Sequence, residues 1–355
     1  MRIAKPPFHL VRALLRRASR RRLPAGFSAS QVVRGRTWAC TDLGAFSRPL
    51  PNLGGVEGVV IMEDRDPEFY LSFQDYAPGA VTRLNRHGPL RAWSTQQDLK
   101  ELVAGLNAQG LKVAIGFWSY GGWWLHRKPR WLREHPELRR PPLSSHLYPF
   151  VRLHREGIEY AEYIARQYER LHTAFGFDGL MLGDGLCGFG SIWDPDLYRD
   201  KAPTIPQWTR LYATIAGTVH RTGGTLLAYD QMGFPYTEAR EHGVDYRDLA
   251  GAGLDVLVYQ SYPQAWAGFW LDEYPNRFDL RASVNNLKTI TASLEGTTAK
   301  VFYTVELGDA VERWQADPER TLAQMDALDP LAAGRFLVWA NDTFARHPQP
   351  VGGSR

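Results

Sequence analysis

Gly176-Phe177-Asp178-Gly179-Leu180-Met181-Leu182-Gly183-Asp184-Gly185-Leu186-Cys187-Gly188 is the stretch on which the fold turns. Its apolar run, bounded by glycine, is what a short strand buried on both faces requires. The run stops at Asp184, a carboxylate between two glycines, where the backbone can turn sharply and a ligand can approach closely. In an α/β barrel the C-terminal strand ends form the reaction face, so an acid there reads as catalytic before it reads as structural. Taken alone, a strand-end Asp is more often a cap for the segment that follows. Its weight comes from what the rest of the chain repeats.

Outward from this strand, strand-like and helix-like segments alternate. Val56–Met62, and one strand within Tyr70–Phe73 and Ala80–Leu84, lie upstream. Ser94 and Gln97, in capping-box spacing, open a helix with Leu99, Leu102, Val103 and Leu106 on one face, and Gly110 ends it. Leu111–Trp118 is the next strand. A loop rich in Trp, Pro, Arg and His runs from Ser119 to about Arg155, and Ile158–Phe175 is a helix. Downstream come a helix from Thr204 to about His220, strand Thr225–Asp230, helix Glu238–Ala250 and strand Asp255–Tyr262. Helix Val284–Leu294, strand Lys300–Glu306, helix Pro318–Leu328 and strand Arg335–Ala340 complete the series.

Such alternation predicts a parallel sheet with right-handed crossovers. Counting one strand in the 70–84 region gives eight, the number that closes a (β/α)8 TIM barrel. No strand leads into GxGxxG or GxxxxGK[ST], so a nucleotide-binding open sheet lacks its chemistry. The expected organisation is a basic, disordered arm over residues 1–30, one catalytic barrel over 31–348 with a long aromatic loop after strand three, and a tail over 349–355.

The formal charge of +4 hides an asymmetry. Eight of the 42 Lys and Arg lie within residues 1–22, which hold no acid; the remaining 34 face 38 acids, so the body carries −4. A body of that charge argues against nucleic-acid binding, while the arm suits contact with an anionic membrane or RNA, or is an uncleaved leader. No apolar run is long enough to span a membrane, and Arg12 interrupts the only candidate for a secretory core. Two cysteines, Cys40 and Cys187, make no disulfide framework. Both absences point to the cytoplasm. No feature reports the oligomeric state.

The strand ends supply the candidate chemistry. Strand four ends at Asp184, five at Asp230, six at Gln260-Ser261-Tyr262, seven at Glu306 and eight at Asn341-Asp342. Strand one runs into Glu63-Asp64, and Asp75 follows the next segment. Two carboxylates facing each other across a bond are what glycoside hydrolysis requires, one attacking or activating water and the other protonating the leaving oxygen. Environments that push their pKa values apart would divide the roles. Asp184 is the expected nucleophile, with Asp230 the first candidate for acid/base and Glu306 the second. The bland alternatives are a loop cap for Asp230 and a surface acid for Glu306. Asp64, Asp75, Trp118, Tyr120, Trp123, Trp124, Gln260, Tyr262, Trp266 and Trp339 are expected to line a carbohydrate site, since aromatic faces stack on pyranose rings and polar groups bind hydroxyls. None of the ten His stands at HxH or HExxH spacing, and GxSxG is absent, so no metal, cofactor or serine nucleophile is expected.

Gly110–Trp118 (GLKVAIGFW), Trp131–Glu137 (WLREHPE) and Gly176–Asp184, in that order, resemble the α-galactosidase and α-glucosidase type of glycoside hydrolase barrel. The resemblance spans roughly residues 94–190. It implies a (β/α)8 barrel, retaining chemistry and Asp184 as nucleophile at the end of strand four. That clan keeps its acid/base Asp after strand six, where this chain has Gln260-Ser261-Tyr262-Pro263-Gln264. The acid then comes from Asp230, Glu306 or elsewhere, or the barrel binds carbohydrate without turnover. A lyase or isomerase acting on sugar-like substrates is a third alternative. Barrels that use Glu on strands four and seven are a second comparison; here strand four ends in Asp.

Overall fold

The computed structural model describes residues 32–41, 46, 50, 52–53, 55–63, 96–117, 153–183, 204–230, 233–241, 243–264, 279–309 and 314–338. Eight parallel strands close a barrel: β1 (Thr37–Thr41), β2 (Gly58–Glu63), β3 (Lys112–Phe117), β4 (Gly179–Leu182), β5 (Thr225–Tyr229), β6 (Val256–Tyr259), β7 (Lys300–Glu306) and β8 (Gly334–Val338). Each pairs with the next in chain order, and β8 closes on β1 through Thr37–Arg335 and Trp38–Phe336. Around it lie α1 (Gln96–Asn107), α2 (Leu153–Phe175), α3 (Thr204–Arg221), α4 (Tyr236–Glu241), α5 (Tyr246–Gly251), α6 (Leu280–Ser293) and α7 (Pro318–Leu328). The (β/α)8 class expected from the alternation is the one observed.

Three expectations need correction. The first strand is Thr37–Thr41, and the segment expected to be first is second, so Glu63 is the last residue of strand two. TWACT escapes a pattern search because it is short, rich in Thr, and buried along its whole length without a β-branched apolar run. β2 pairs directly with β3, so the barrel takes no strand from the 70–84 region, which lies outside the described residues. Strands three to eight keep their expected places. The expected helix Glu238–Ala250 is two short helices: Gly243 adopts a positive φ of 81° after α4, and Asp245 caps α5 by accepting from the Arg247 and Asp248 amides.

Alternation along each strand sorts side chains into two apolar layers. Leu226 and Ala228 of β5, Leu257 and Tyr259 of β6, and Tyr303 and Val305 of β7 face the helices. Leu227, Tyr229, Val256, Val258, Phe302 and Phe336 fill the barrel. Large rings fit this interior because glycines face them. A Cβ on Gly58 would stand 2.7 Å from the Trp38 ring, and one on Gly334 would stand 2.7 Å from both Phe302 and the Arg36 carbonyl.

The N-terminal rim of the barrel is laced by side chains with structural work. Asp178 accepts from the Val113 amide at 3.0 Å, and Asp255 accepts from the Leu226 amide at 2.8 Å, each joining neighbouring strand starts. Buried Arg335 pairs with Asp329 and donates to the carbonyls of Val32 and Arg34, tying the incoming chain to β8. Burial, reinforced by its 2.6 Å hydrogen bond to Asp329, pushes the Tyr303 hydroxyl well above the usual tyrosine range.

Candidate active site

Glu306 stands at the C-terminal end of β7. Phe302 on the same strand fills the barrel while Val301, Tyr303 and Val305 face outward, so Thr304 and Glu306 share the interior register. Glu306 is fully buried. Its Oε2 accepts the Gln264 amide at 3.0 Å, and its carbonyl accepts the Thr321 hydroxyl at 3.2 Å. A carboxylate on the central axis side of a strand end, in low-dielectric surroundings and with an oriented backbone donor, can take or deliver a proton or attack an electrophile.

Asp230 is also fully buried, but its position differs. It falls on the outer register of β5, beyond Leu226 and Ala228. Its Oδ2 accepts the Gly233 amide at 3.0 Å and its Oδ1 accepts the Gln260 amide at 3.0 Å. The Gln260 side-chain amide donates back to the Asp230 carbonyl at 3.1 Å, and the Asp230 amide continues the ladder to Val258. The carboxylate thus clips the end of β6 to the turn after β5. Neighbouring Tyr259 registers the charge: burial first, and Asp230 second, push its hydroxyl far above the usual range. Asn286 of α6 holds the same turn through the Gly233 carbonyl at 2.8 Å.

Of the expected substrate contacts, Gln260 is buried and engaged with Asp230, and Tyr262 is buried with the apolar side chains of the barrel interior. Tyr229 meets Phe336 edge-on at 5.9 Å just below this rim. Asp184, Asp64, Asp75, Trp118, Tyr120, Trp123, Trp124, Trp266 and Trp339 lie outside the described residues, as does the aromatic loop after strand three. Among the described residues no group of three or more His, Cys, Asp or Glu side chains is arranged to hold a metal ion. No helix among them is long and apolar enough to cross a membrane.

Sequence reasoning named Ser261 only as part of the strand-six end and missed Gln264, Thr304, Thr321 and Gln324; together they form a polar seam at the β6–β7 corner. The Ser261 amide donates to Thr304 Oγ1 at 2.7 Å, and Gln324 Nε2 donates to Ser261 Oγ at 2.9 Å and to the Thr304 carbonyl at 3.2 Å. One signal was available: Thr321 and Gln324 are three apart on the same face of α7 as Met325 and Leu328, where a purely structural helix would be apolar.

No family model matches the chain, and no curated protein matches it. Solved structures do. An endo-1,4-β-D-mannanase from Thermotoga petrophila RKU-1, solved with maltose and glycerol, matches with a TM-score of 0.52 at 12% identity over 86% of this chain and 88% of that one. A second structure, an endo-β-1,4-mannanase from Thermotoga petrophila, matches with a TM-score of 0.51 at 12% identity over 88% of this chain and 69% of that one. A class V chitinase from Pseudomonas fluorescens Pf-5 matches with a TM-score of 0.48 at 12% identity over 90% and 97%. At such identity the likeness to the two mannanases is one of fold alone.

Proposed function

We propose that the protein is a glycoside hydrolase acting on an oligo- or polysaccharide through two carboxylates at the C-terminal face of its barrel, Asp184 after β4 and Glu306 at the end of β7. The observation that carries this reading is Glu306 itself, a buried carboxylate on the interior register of a strand end, oriented by a backbone amide. The mannanases that share the barrel lend support. In this reading Glu306, protonated, donates to the glycosidic oxygen as the bond to C1 breaks, and Asp184 attacks C1 to form a glycosyl-enzyme. Glu306, now ionised, takes a proton from the water that displaces Asp184, which restores both groups. Glu306 is preferred to Asp230 as acid/base because both Asp230 oxygens already accept backbone amides, which favours its ionised form and a fixed structural role. Trp118, Tyr120, Trp123, Trp124, Trp266 and Trp339 are proposed to stack on sugar rings, with Asp64 and Asp75 binding hydroxyls.

The test is release of reducing ends from a panel of β-mannan, chitin, starch and galactoside substrates by wild type, Asp184→Asn and Glu306→Gln. Cleavage of at least one glycan, with kcat down ~100- to 10,000-fold in each variant, is expected. Full turnover in either variant removes that residue from the mechanism. Glycan binding by wild type with no cleavage anywhere in the panel would instead make the barrel a carbohydrate-binding protein.

A further inference from the structure

We infer that Gln264 is a positioning residue for Glu306, fixing the carboxylate through a closed ring of hydrogen bonds that runs through the first turn of α7; its catalytic meaning rests on the glycosidase reading above. The ring has three links. The Gln264 main-chain amide donates to Glu306 Oε2 at 3.0 Å, and its side-chain Nε2 donates to Thr321 Oγ1 at 3.0 Å. Thr321 Oγ1 in turn donates to the Glu306 carbonyl at 3.2 Å, returning to the residue where the ring began. The remaining Gln264 atom, Oε1, accepts the Asp317 amide at 2.8 Å. Asp317 is the N-cap of α7, so the loop is docked on a helix terminus that would otherwise need a partner for that amide.

The chemistry of the ring suits glutamine. Thr321 spends its one proton on the Glu306 carbonyl and must receive a donor from Gln264, while the Asp317 amide needs an acceptor. A side-chain amide of this length supplies both at once. Its other anchor is Gln324, one turn further along α7, whose Nε2 holds the Ser261 carbonyl at 3.0 Å. The segment Ser261–Gln264 is therefore fastened at both ends to α7, and the backbone amide that faces Glu306 has little freedom. Such an amide lowers the cost of ionising the carboxylate and sets which oxygen faces the barrel axis.

The experiment compares wild type with Gln264→Ala, Thr321→Val and Thr321→Ser. Two readouts are taken: kcat and KM on the best glycan of the panel, and the titration midpoint of the Glu306 carboxyl by 13C NMR, assigned through Glu306→Gln. The charged groups on neighbouring elements stay in place throughout: Asp230 after β5, Lys300 at the start of β7, Arg335 of β8, and Asp317, Glu319, Arg320 and Asp326 at α7. Gln264→Ala and Thr321→Val should lower kcat about 10-fold or more with KM largely unchanged. Both should raise the Glu306 midpoint by about one pH unit, since a hydrogen bond to the charged form is loosened. Thr321→Ser, which keeps the hydroxyl, should restore both values. An unchanged midpoint in Gln264→Ala and Thr321→Val overturns the positioning role. A raised midpoint in a protein that cleaves no glycan keeps the ring and sinks only the glycosidase reading.

Discussion

Replacing Asp230 by Asn removes a charge and half of a two-pronged acceptor while leaving the volume of the side chain almost unchanged. In the native site Oδ1 and Oδ2 each accept a backbone amide at 3.0 Å, from Gln260 and Gly233. A side-chain amide can accept at one of these positions only; at the other its NH2 faces an N–H, donor against donor. With Asp230 fully buried, no water takes over the orphaned amide. An unsatisfied buried donor costs about 1–3 kcal/mol, and loss of the charge from the surviving bond costs about 1 kcal/mol more. The expected destabilisation is therefore about 3 kcal/mol, a sizeable part of the 5–15 kcal/mol typical of a domain. In a barrel of this size it should lower Tm by roughly 4–5 °C. Urea unfolding followed by tryptophan fluorescence measures the first quantity and a thermal scan the second. Glycan cleavage by the same preparation, below the new transition, should fall far less than in Glu306→Gln. A variant as stable as wild type but without turnover would refute this reasoning, making Asp230 the acid/base and returning Glu306 to a structural role.

Two further outcomes follow from the packing. Gly58→Ala sets a Cβ 2.7 Å from the Trp38 ring and should cost about 1–3 kcal/mol in urea unfolding, as overpacking does; adding Trp38→Phe should recover part of it, and a double variant no better than the single one would locate the strain elsewhere. Stability should also fall steeply above pH 10. The hydroxyls of Tyr259 and Tyr303 are raised by burial, so there the unfolded chain releases protons that the folded barrel retains. Each pH unit above about 10 then removes about 1.4 kcal/mol per tyrosine. Tyr303→Phe should flatten that slope by one proton, and an unaltered slope would contradict the assignment.

The barrel was legible in the sequence wherever strands were long or bounded by glycine. β3, β4, β7 and the long helices between them stand where pattern places them, the split of α4 from α5 apart, because strands buried on both faces are continuous apolar runs and helices repeat every three to four residues. β1 was not legible. Its burial depends on closure against β8 and on Trp38 filling the space left by Gly58, contacts between residues far apart in the chain. The polar seam of Gln264, Thr321 and Gln324 was hidden for the same reason, since its members come from the loop after β6 and from α7 and meet only when the barrel closes.

The two described acids show where strand-end reading loses information and how it can be regained. Asp230 and Glu306 both end apolar strands and are indistinguishable by that criterion. A strand buried on both faces gives no hydrophobic alternation from which to tell its inner face. Polar residues inside the strand do. Thr304 and Glu306 are two apart, so they share a face, and in a parallel barrel a polar pair near the C-terminal end fits the interior, where the reaction face needs it, better than the helix-facing layer. In TLLAYD the residues two and four before Asp230 are Ala228 and Leu226, small and apolar, which is the composition of the layer that packs against helices. Parity thus separates an acid that faces the cavity from one that clips two strand ends together. By that criterion Glu306 is the acid we propose for the chemistry and Asp230 the one proposed to hold the frame, and the stability of Asp230→Asn, set against the turnover of Glu306→Gln, is the measurement that decides between them.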